Sequence, residues 1–312
     1  MSNHDNKIGV LVMSYGTPES MDDVETYYTH IRRGHPPTPE QLAELTERYE
    51  AIVGGVFPLR ENTNSQVAGL QDKLETMAPG RYMCYQGLKH AKPYIEDGVE
   101  AMGKDGIKRA VAIVLAPHYS TMSIGSYMKR AQAKAEELGI ELATVESYHL
   151  HPKLLAALTD RVKEGLERLS ASSGNETAVR VLFSAHSLPE KIRELGDPYE
   201  KQLMETSAAV AEAAGVRDWQ FTWQSAGRTR EPWLGPDILE TMATIREEGI
   251  KAVLVAPVGF VSDHLEVLYD LDIEAKAEAA KLDMTLERIA MLNKDPLYME
   301  TLAESVVAAM QV

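Results

Sequence analysis

The sequence predicts an α/β protein made of two similar units, each a parallel sheet with helices on both faces. Three observations lead there. Strand-like apolar runs alternate with helical patterns along the whole chain, as in a parallel sheet covered on both sides. Two strand exits share a layout: Ser14-Tyr15-Gly16-Thr17-Pro18-Glu19 and Ala185-His186-Ser187-Leu188-Pro189-Glu190 both place the polar ring three residues before Pro-Glu. A second echo pairs Val114-Leu115-Ala116-Pro117 with Leu254-Val255-Ala256-Pro257, each a strand ending in Ala-Pro. Halves of similar order, with different chemistry at matching strand ends, imply a duplicated unit facing a shared cleft.

Taken in order, the first half reads as strands near 8–14, 81–86, 109–116 and 141–146. Helical periodicity falls near 20–33, 39–51, 62–77, 91–104 and 124–138. A long amphipathic helix, about 152–169, then reaches a Ser/Gly/Asn-rich break at 170–175, the best linker candidate. The second half reads as strands near 179–185, 219–224, 251–258 and 284–290, with helices near 198–214, 236–248, 264–281 and 296–310. The expected domains are 1–150 and 151–293. The last helix, within 294–312, has the first domain open to it as a packing partner.

At 312 residues the chain has ample length for two cores, and 44% apolar with 25% charged residues suits a globular protein. A net charge of −15 disfavours nucleic-acid backbones and anionic membranes as partners. Cys84 is the only cysteine, which leaves no internal disulfide and no protein-held iron–sulfur cluster. No apolar run approaches the roughly 18 residues of a membrane span. Polar residues 1–7 run straight into the first strand without a signal peptide, so the chain is read as cytoplasmic. There is no G-x-G-x-x-G and no P-loop, so a dinucleotide or nucleoside-triphosphate enzyme would lack its phosphate cradle.

The densest chemistry follows the strand that ends near Pro257. Asp263, Glu266, Asp270 and Glu274 are spaced by three, four and four residues, which places them on one face of the expected helix. A row of carboxylates beginning at a strand end can carry cations or protons; the plain alternative is a solvated helix face. His186 closes another strand. Imidazole titrates near neutrality and binds transition metals, while a carboxylate is a harder ligand and a proton acceptor. One His and one Glu are too few for a closed structural metal site and suit a metal held briefly. For His186 and Tyr15 the alternative is a ring satisfied by backbone hydrogen bonds.

These residues carry a resemblance. Tyr15-Gly16-Thr17-Pro18, Tyr28-Thr29-His30-Ile31-Arg32-Arg33-Gly34, Arg48-Tyr49-Glu50-Ala51-Ile52, Gly87-Leu88-Lys89-His90, Ser184-Ala185-His186-Ser187-Leu188-Pro189 and Asp263-His264-Leu265-Glu266-Val267-Leu268-Tyr269-Asp270 are similar to segments of ferrochelatases. The likeness spans nearly the whole chain and is greatest to the soluble type of monoderm bacteria. It implies two Rossmann-like domains holding a porphyrin in their cleft, and insertion of Fe²⁺ as a substrate, with no permanently bound cofactor. It further implies His186 and Glu266 as catalytic and metal-side residues, with Asp270 and Glu274 extending a delivery path. Tyr15 matches a residue on the opposite side of the ring that can contact iron axially in the product. Arg32, Arg48, Tyr49 and Tyr127 match propionate-side positions, with Arg33, Lys89 and His90 of lesser weight.

The resemblance departs at one place. Where Gly-Gly-x-Ser-Pro is expected the chain reads Gly54-Gly55-Val56-Phe57-Pro58, with Val53 as an apparent extra residue, so a propionate-holding hydroxyl is replaced by a phenyl ring that could stack on the macrocycle. Four propionates call for more donors than two, and the cation and phenol set favours coproporphyrin III over protoporphyrin IX. The partners expected are therefore a porphyrin and its iron product, bound by a monomer. The alternatives are a cobalt or iron chelatase for sirohydrochlorin, and a non-catalytic tetrapyrrole or haem carrier. A carrier would need axial ligands and no base.

Overall fold

The computed structural model describes residues 7–54, 57–173 and 178–311. Its strands are β1 (Ile8–Ser14), β2 (Tyr82–Leu88), β3 (Arg109–Val114), β4 (Glu141–Val145), β5 (Val179–His186), β6 (Trp219–Gln224), β7 (Ala252–Ala256) and β8 (Thr285–Arg288). They form two four-stranded sheets, ordered β2-β1-β3-β4 and β6-β5-β7-β8, in which every pairing is parallel. The two orders are the same when β5 is matched with β1 and β7 with β3. Those are the strands whose exits carry the echoed motifs.

The helices are α1 (Val24–Ile31), α2 (Pro39–Val53), α3 (Pro58–Met77), α4 (Ile95–Lys104), α5 (Ile124–Leu138), α6 (Pro152–Ser173), α7 (Tyr199–Ala214), α8 (Ile238–Glu247), α9 (Leu265–Leu268), α10 (Lys276–Lys281) and α11 (Pro296–Ala309). Chain contacts divide the molecule into two compact units. The first runs to Tyr148 and resumes at Asn293; the second is His149–Leu292.

In the first unit all seven residues of β1 are buried, which is why the run Ile8–Met13 reads as unbroken apolar sequence rather than as an alternation. Leu11, Met13, Ile95, Val99 and Met102 pack there with Ile124 and Ala131. Helix α11 packs on α3: Gln66 Nε2 donates to Asn293 O at 2.8 Å, and a side chain at Gly69 would meet Met299 Sδ at 2.8 Å. Tyr148 and Tyr298 share a buried hydroxyl–hydroxyl contact of 3.0 Å. In the second unit β7 is wholly buried, and Val253 and Val255 meet Met242, Ile245, Val267 and Leu271. Each such aliphatic side chain contributes about 1.5–3 kcal/mol by leaving water.

Two expectations change. Helix α6 continues to Ser173, so the start of the Ser/Gly/Asn-rich break is helical; its remainder, 174–175, lies outside the described residues. That segment joins α6 to β5 inside the second unit and does not separate the units. The helix expected over 264–281 is divided, with a π-helical turn, Asp270–Ala275, between α9 and α10. Among the described residues no helix is long and apolar enough to cross a membrane.

Candidate active site

In the second unit the strand order reverses between β5 and β7, and ligands of open parallel sheets bind beyond the carboxyl ends of strands at such a point. His186 ends β5. The segment after β7 is drawn against that strand: Gly259 N donates to Ser184 O at 3.1 Å, and a Cβ at Gly259 would lie 2.3 Å from Ala185 Cβ. Only glycine permits this approach. The chain then enters α9, and Glu266 comes to rest with Oε1 3.4 Å from His186 Nε2 and Oε2 3.5 Å from His264 Nε2.

The electrostatics follow from this packing. Burial disfavours a charged His186, but the Glu266 carboxylate beside it outweighs burial and raises the imidazole pKa to about 9. Burial likewise opposes ionisation of Glu266, and the neighbouring His186 charge more than offsets it, holding the carboxyl well below its usual range. His186 Nδ1 also faces Ser187 O, so oxygen atoms stand at both ring nitrogens, which suits an imidazolium. At neutral pH the vacant proton-accepting position of the pair is on Glu266. Both side chains remain about one third exposed (32% each), open to a reactant.

The acidic row is not a single helix face. Asp263 precedes α9 and meets Arg288, which also holds Asp272 through Nε and Nη2 at 3.1 and 2.7 Å. Asp270 opens the π turn and is buried, accepting from Ser225 Oγ, while Glu274 is exposed. A π turn takes about one more residue per turn than an α-helix, so the three-four-four spacing no longer maps to one stripe. Glu266 and Asp270 still belong to one continuous segment.

In the first unit a cavity of about 550 Å³ is lined by Tyr15, His30, Ile31, Arg33, Gly34, Lys89, His90 and Arg130. The β1 and β2 exits are zipped together here, Lys89 N donating to Ser14 O at 2.9 Å and His90 N to Tyr15 O at 3.0 Å. Gly16 supplies the left-handed turn (φ +87°) that brings the chain against Ala91. Arg130 grips Glu96 bidentately at 2.6 and 2.7 Å and donates to Lys89 O. Burial, reinforced by the positive charges of Arg130 and Arg33, lowers the Lys89 pKa to about 8. Burial and the Lys89 charge lower that of His90 to about 3, so His90 is neutral, its ring against Tyr15 at 4.6 Å. Tyr15 itself is 42% exposed.

The expected residues are therefore distributed unevenly. His186 and Glu266 meet, and Tyr15, Arg33 and His90 share the cavity. Arg32 lies over the Tyr28 ring and donates to His35 O, and Arg48 lies on α2. Tyr49 and Tyr127 are each only 4% exposed, and the Lys89 ammonium stands 4.8 Å over the Tyr127 ring. Phe57, 5% exposed, turns its ring toward Tyr49 at 5.1 Å, so it belongs to the first unit's core and offers no face for stacking. Arg33, Lys89 and His90, of lesser weight in the resemblance, all line this cavity. His264, Gln224, Ser225 and Arg288 also belong to the site, and the sequence alone does not point to a role for them. Of these only His264 carries a signal, its place in the Asp263-His264-Leu265-Glu266 segment.

Among solved structures, the fold is similar to the sirohydrochlorin chelatase SirB from Bacillus subtilis subspecies spizizenii in complex with cobalt, with TM-score 0.58 at 11% identity over 98% of this chain and 96% of that one. SirB from Bacillus subtilis with Fe³⁺ gives TM-score 0.60 at 12% identity over 97% and 95%. At such identity the likeness concerns the fold alone. The ferrochelatase family model matches residues 7–310. The coproporphyrin III ferrochelatase of Oceanobacillus iheyensis is 48% identical over 303 residues, 96% of each chain. That of Bacillus subtilis is 47% identical over 304 residues, 96% of this chain and 97% of its own. A ferrochelatase of Herpetosiphon aurantiacus is 45% identical over 298 residues, 95% and 97%. The chain belongs to the ferrochelatase family.

Proposed function

We propose that this protein is a cytoplasmic lyase that inserts Fe²⁺ into coproporphyrin III, in haem biosynthesis. The observation that carries the reading is the His186–Glu266 pair at the strand-order reversal, 3.4 Å apart and open to a reactant. Metalation replaces two pyrrole N–H protons with one Fe²⁺, so the site must accept protons while admitting a dication. The Glu266 carboxylate accepts one pyrrole proton; an approaching Fe²⁺ drives the His186 proton off to solvent through the open side of the pair by repulsion, and the freed imidazole nitrogen accepts the second. General-base help of this kind is worth about 10²–10⁴ in rate. Asp270 and Glu274 serve as weaker cation stations that feed the pair.

The first unit supplies the product's axial ligand, Tyr15, and the cations for the porphyrin carboxylates. Arg32 and Arg48 act with Arg33 and Lys89, since guanidinium and ammonium groups match carboxylates in charge and hydrogen bonding. Tyr49 and Tyr127 support these groups from within. Four propionates can engage more of this set than two, which favours coproporphyrin III. Support comes from relatives named coproporphyrin III ferrochelatase at 47–48% identity over nearly the full chain. The test is anaerobic incubation with Fe²⁺ and each porphyrin, followed by the Soret and Q bands. The expected result is higher kcat/KM with coproporphyrin III. Equal or better use of protoporphyrin IX would overturn the substrate assignment, and tight porphyrin binding without metalation would favour a carrier.

A further inference from the structure

Successive residues of a strand point to opposite faces of a sheet. The end of β6 breaks that rule. Gln224, 1% exposed, donates through Nε2 to Glu266 O at 2.7 Å and accepts from Ser184 Oγ at 2.9 Å. Its backbone oxygen accepts from Ser187 N at 2.8 Å, so the same residue also holds the chain leaving His186. The next residue, Ser225, has φ +60°, a left-handed conformation that a serine adopts at a cost. This turn returns its side chain to the same side, where Oγ donates to the Asp270 carboxylate. Two adjacent residues thus grip Glu266 and Asp270, which lie on either side of the change from α9 to the π turn.

We propose that Gln224 and Ser225 are positioning residues: they form a bracket that fixes the register of the α9–π segment and so aims Glu266 and Asp270. Gln224 sets the proton-accepting residue by its backbone, and Ser225 sets the cation station by its carboxylate. This inference rests on the roles given above to those two residues. The left-handed backbone at Ser225 is what lets one strand end reach both.

Ser225→Gly separates the hydroxyl from the turn, because glycine keeps the left-handed backbone without strain. The apparent KM for Fe²⁺ should rise about tenfold or more from loss of a hydrogen bond to a charged group, with kcat and the porphyrin KM within about twofold. If Ser225 acts through Asp270, the Ser225→Gly/Asp270→Asn double variant should have the metal KM of Asp270→Asn alone; losses that multiply would overturn the proposal. Amide hydrogen exchange over 265–275 should be faster in Ser225→Gly and unchanged in β1–β4, and unaltered exchange at 265–275 would also overturn it. The exchange result stands without turnover: if the wild type inserts no iron, the functional reading fails while the bracket is still decided.

Discussion

His186 and Glu266 come from the exits of different strands, β5 and β7, yet Nε2 and Oε1 lie 3.4 Å apart. The contact exists because Gly259 lets the β7 exit lie on Ala185 and Gln224 holds the carbonyl of Glu266. Its charge state matters as much as its distance. Neighbours at this range favour ionisation of both groups despite burial, so the pair rests as imidazolium and carboxylate.

That state predicts a pH-dependent stability. His186 has a folded-state pKa raised from 6.5 to about 9, so its stabilising contribution is complete below about pH 6.5 and is lost as pH climbs through 9. Glu266 is depressed from 4.5, so its contribution is present above that value and is lost on acidification through its lower folded value. The pair therefore stabilises most between about pH 4.5 and 6.5. The Tm difference between wild type and Glu266→Gln should shrink from pH 6.5 to 9. A difference that does not vary over this range would contradict the assigned charge states.

Lys89 has the opposite sign. Its pKa falls from 10.5 to about 8, so between those values the unfolded chain binds more protons and stability rises with pH. Carboxylate binding runs the other way, because the attracting ammonium is lost as pH passes 8. Coproporphyrin affinity, measured by fluorescence quenching, should weaken from pH 7 to 9 in the wild type and much less in Lys89→Arg, which stays charged. Parallel pH profiles would remove Lys89 from the carboxylate site.

Phe57→Ser should act on stability before specificity. The ring is buried against Tyr49, and deleting a buried phenyl group typically costs about 3–5 kcal/mol. A lowered denaturant midpoint with an unchanged ratio of coproporphyrin to protoporphyrin turnover is expected. A stable variant with a gain for coproporphyrin alone would show that residue 57 faces the substrate.

Tyr15→Phe should leave the insertion rate nearly intact and change the product. The phenol is exposed and lines the cationic cavity, where its oxygen is assigned to the iron of the metalated ring. Absorption and resonance Raman spectra of the iron–porphyrin complex should differ between the two proteins. Identical spectra would exclude the axial role.

Much of this fold is legible in the residues, because buried parallel strands are unbroken apolar runs and the runs at 8–13 and 252–256 admit few other readings. The two strand-end echoes likewise mark equivalent positions in the two sheets. The π turn is not legible, since the same apolar residues satisfy helical periodicity with or without an extra residue per turn. Nor is the Ser225 turn, as serine does not signal a left-handed backbone the way glycine does. Side chains are less legible than strands: Arg288 carries no signal in the sequence yet clamps two aspartates, and Tyr127, matched to the propionate side by resemblance, lies buried with the Lys89 ammonium over its ring. That His186 and Glu266 form a pair follows from their places at strand ends, and the resemblance supplies the pair's role; no periodicity relates the exits of β5 and β7.

The most direct measurement is single-turnover Fe²⁺ insertion into prebound coproporphyrin III by wild type, His186→Ala and Glu266→Gln, with porphyrin affinity measured on the same samples. Porphyrin binding should persist in both variants. Insertion should be nearly abolished in His186→Ala and slowed about 10²-fold or more in Glu266→Gln, which keeps the size and hydrogen bonding of the side chain but not its proton-accepting charge. Insertion at wild-type rates by either folded variant would show that the imidazole–carboxylate pair does not carry the chemistry.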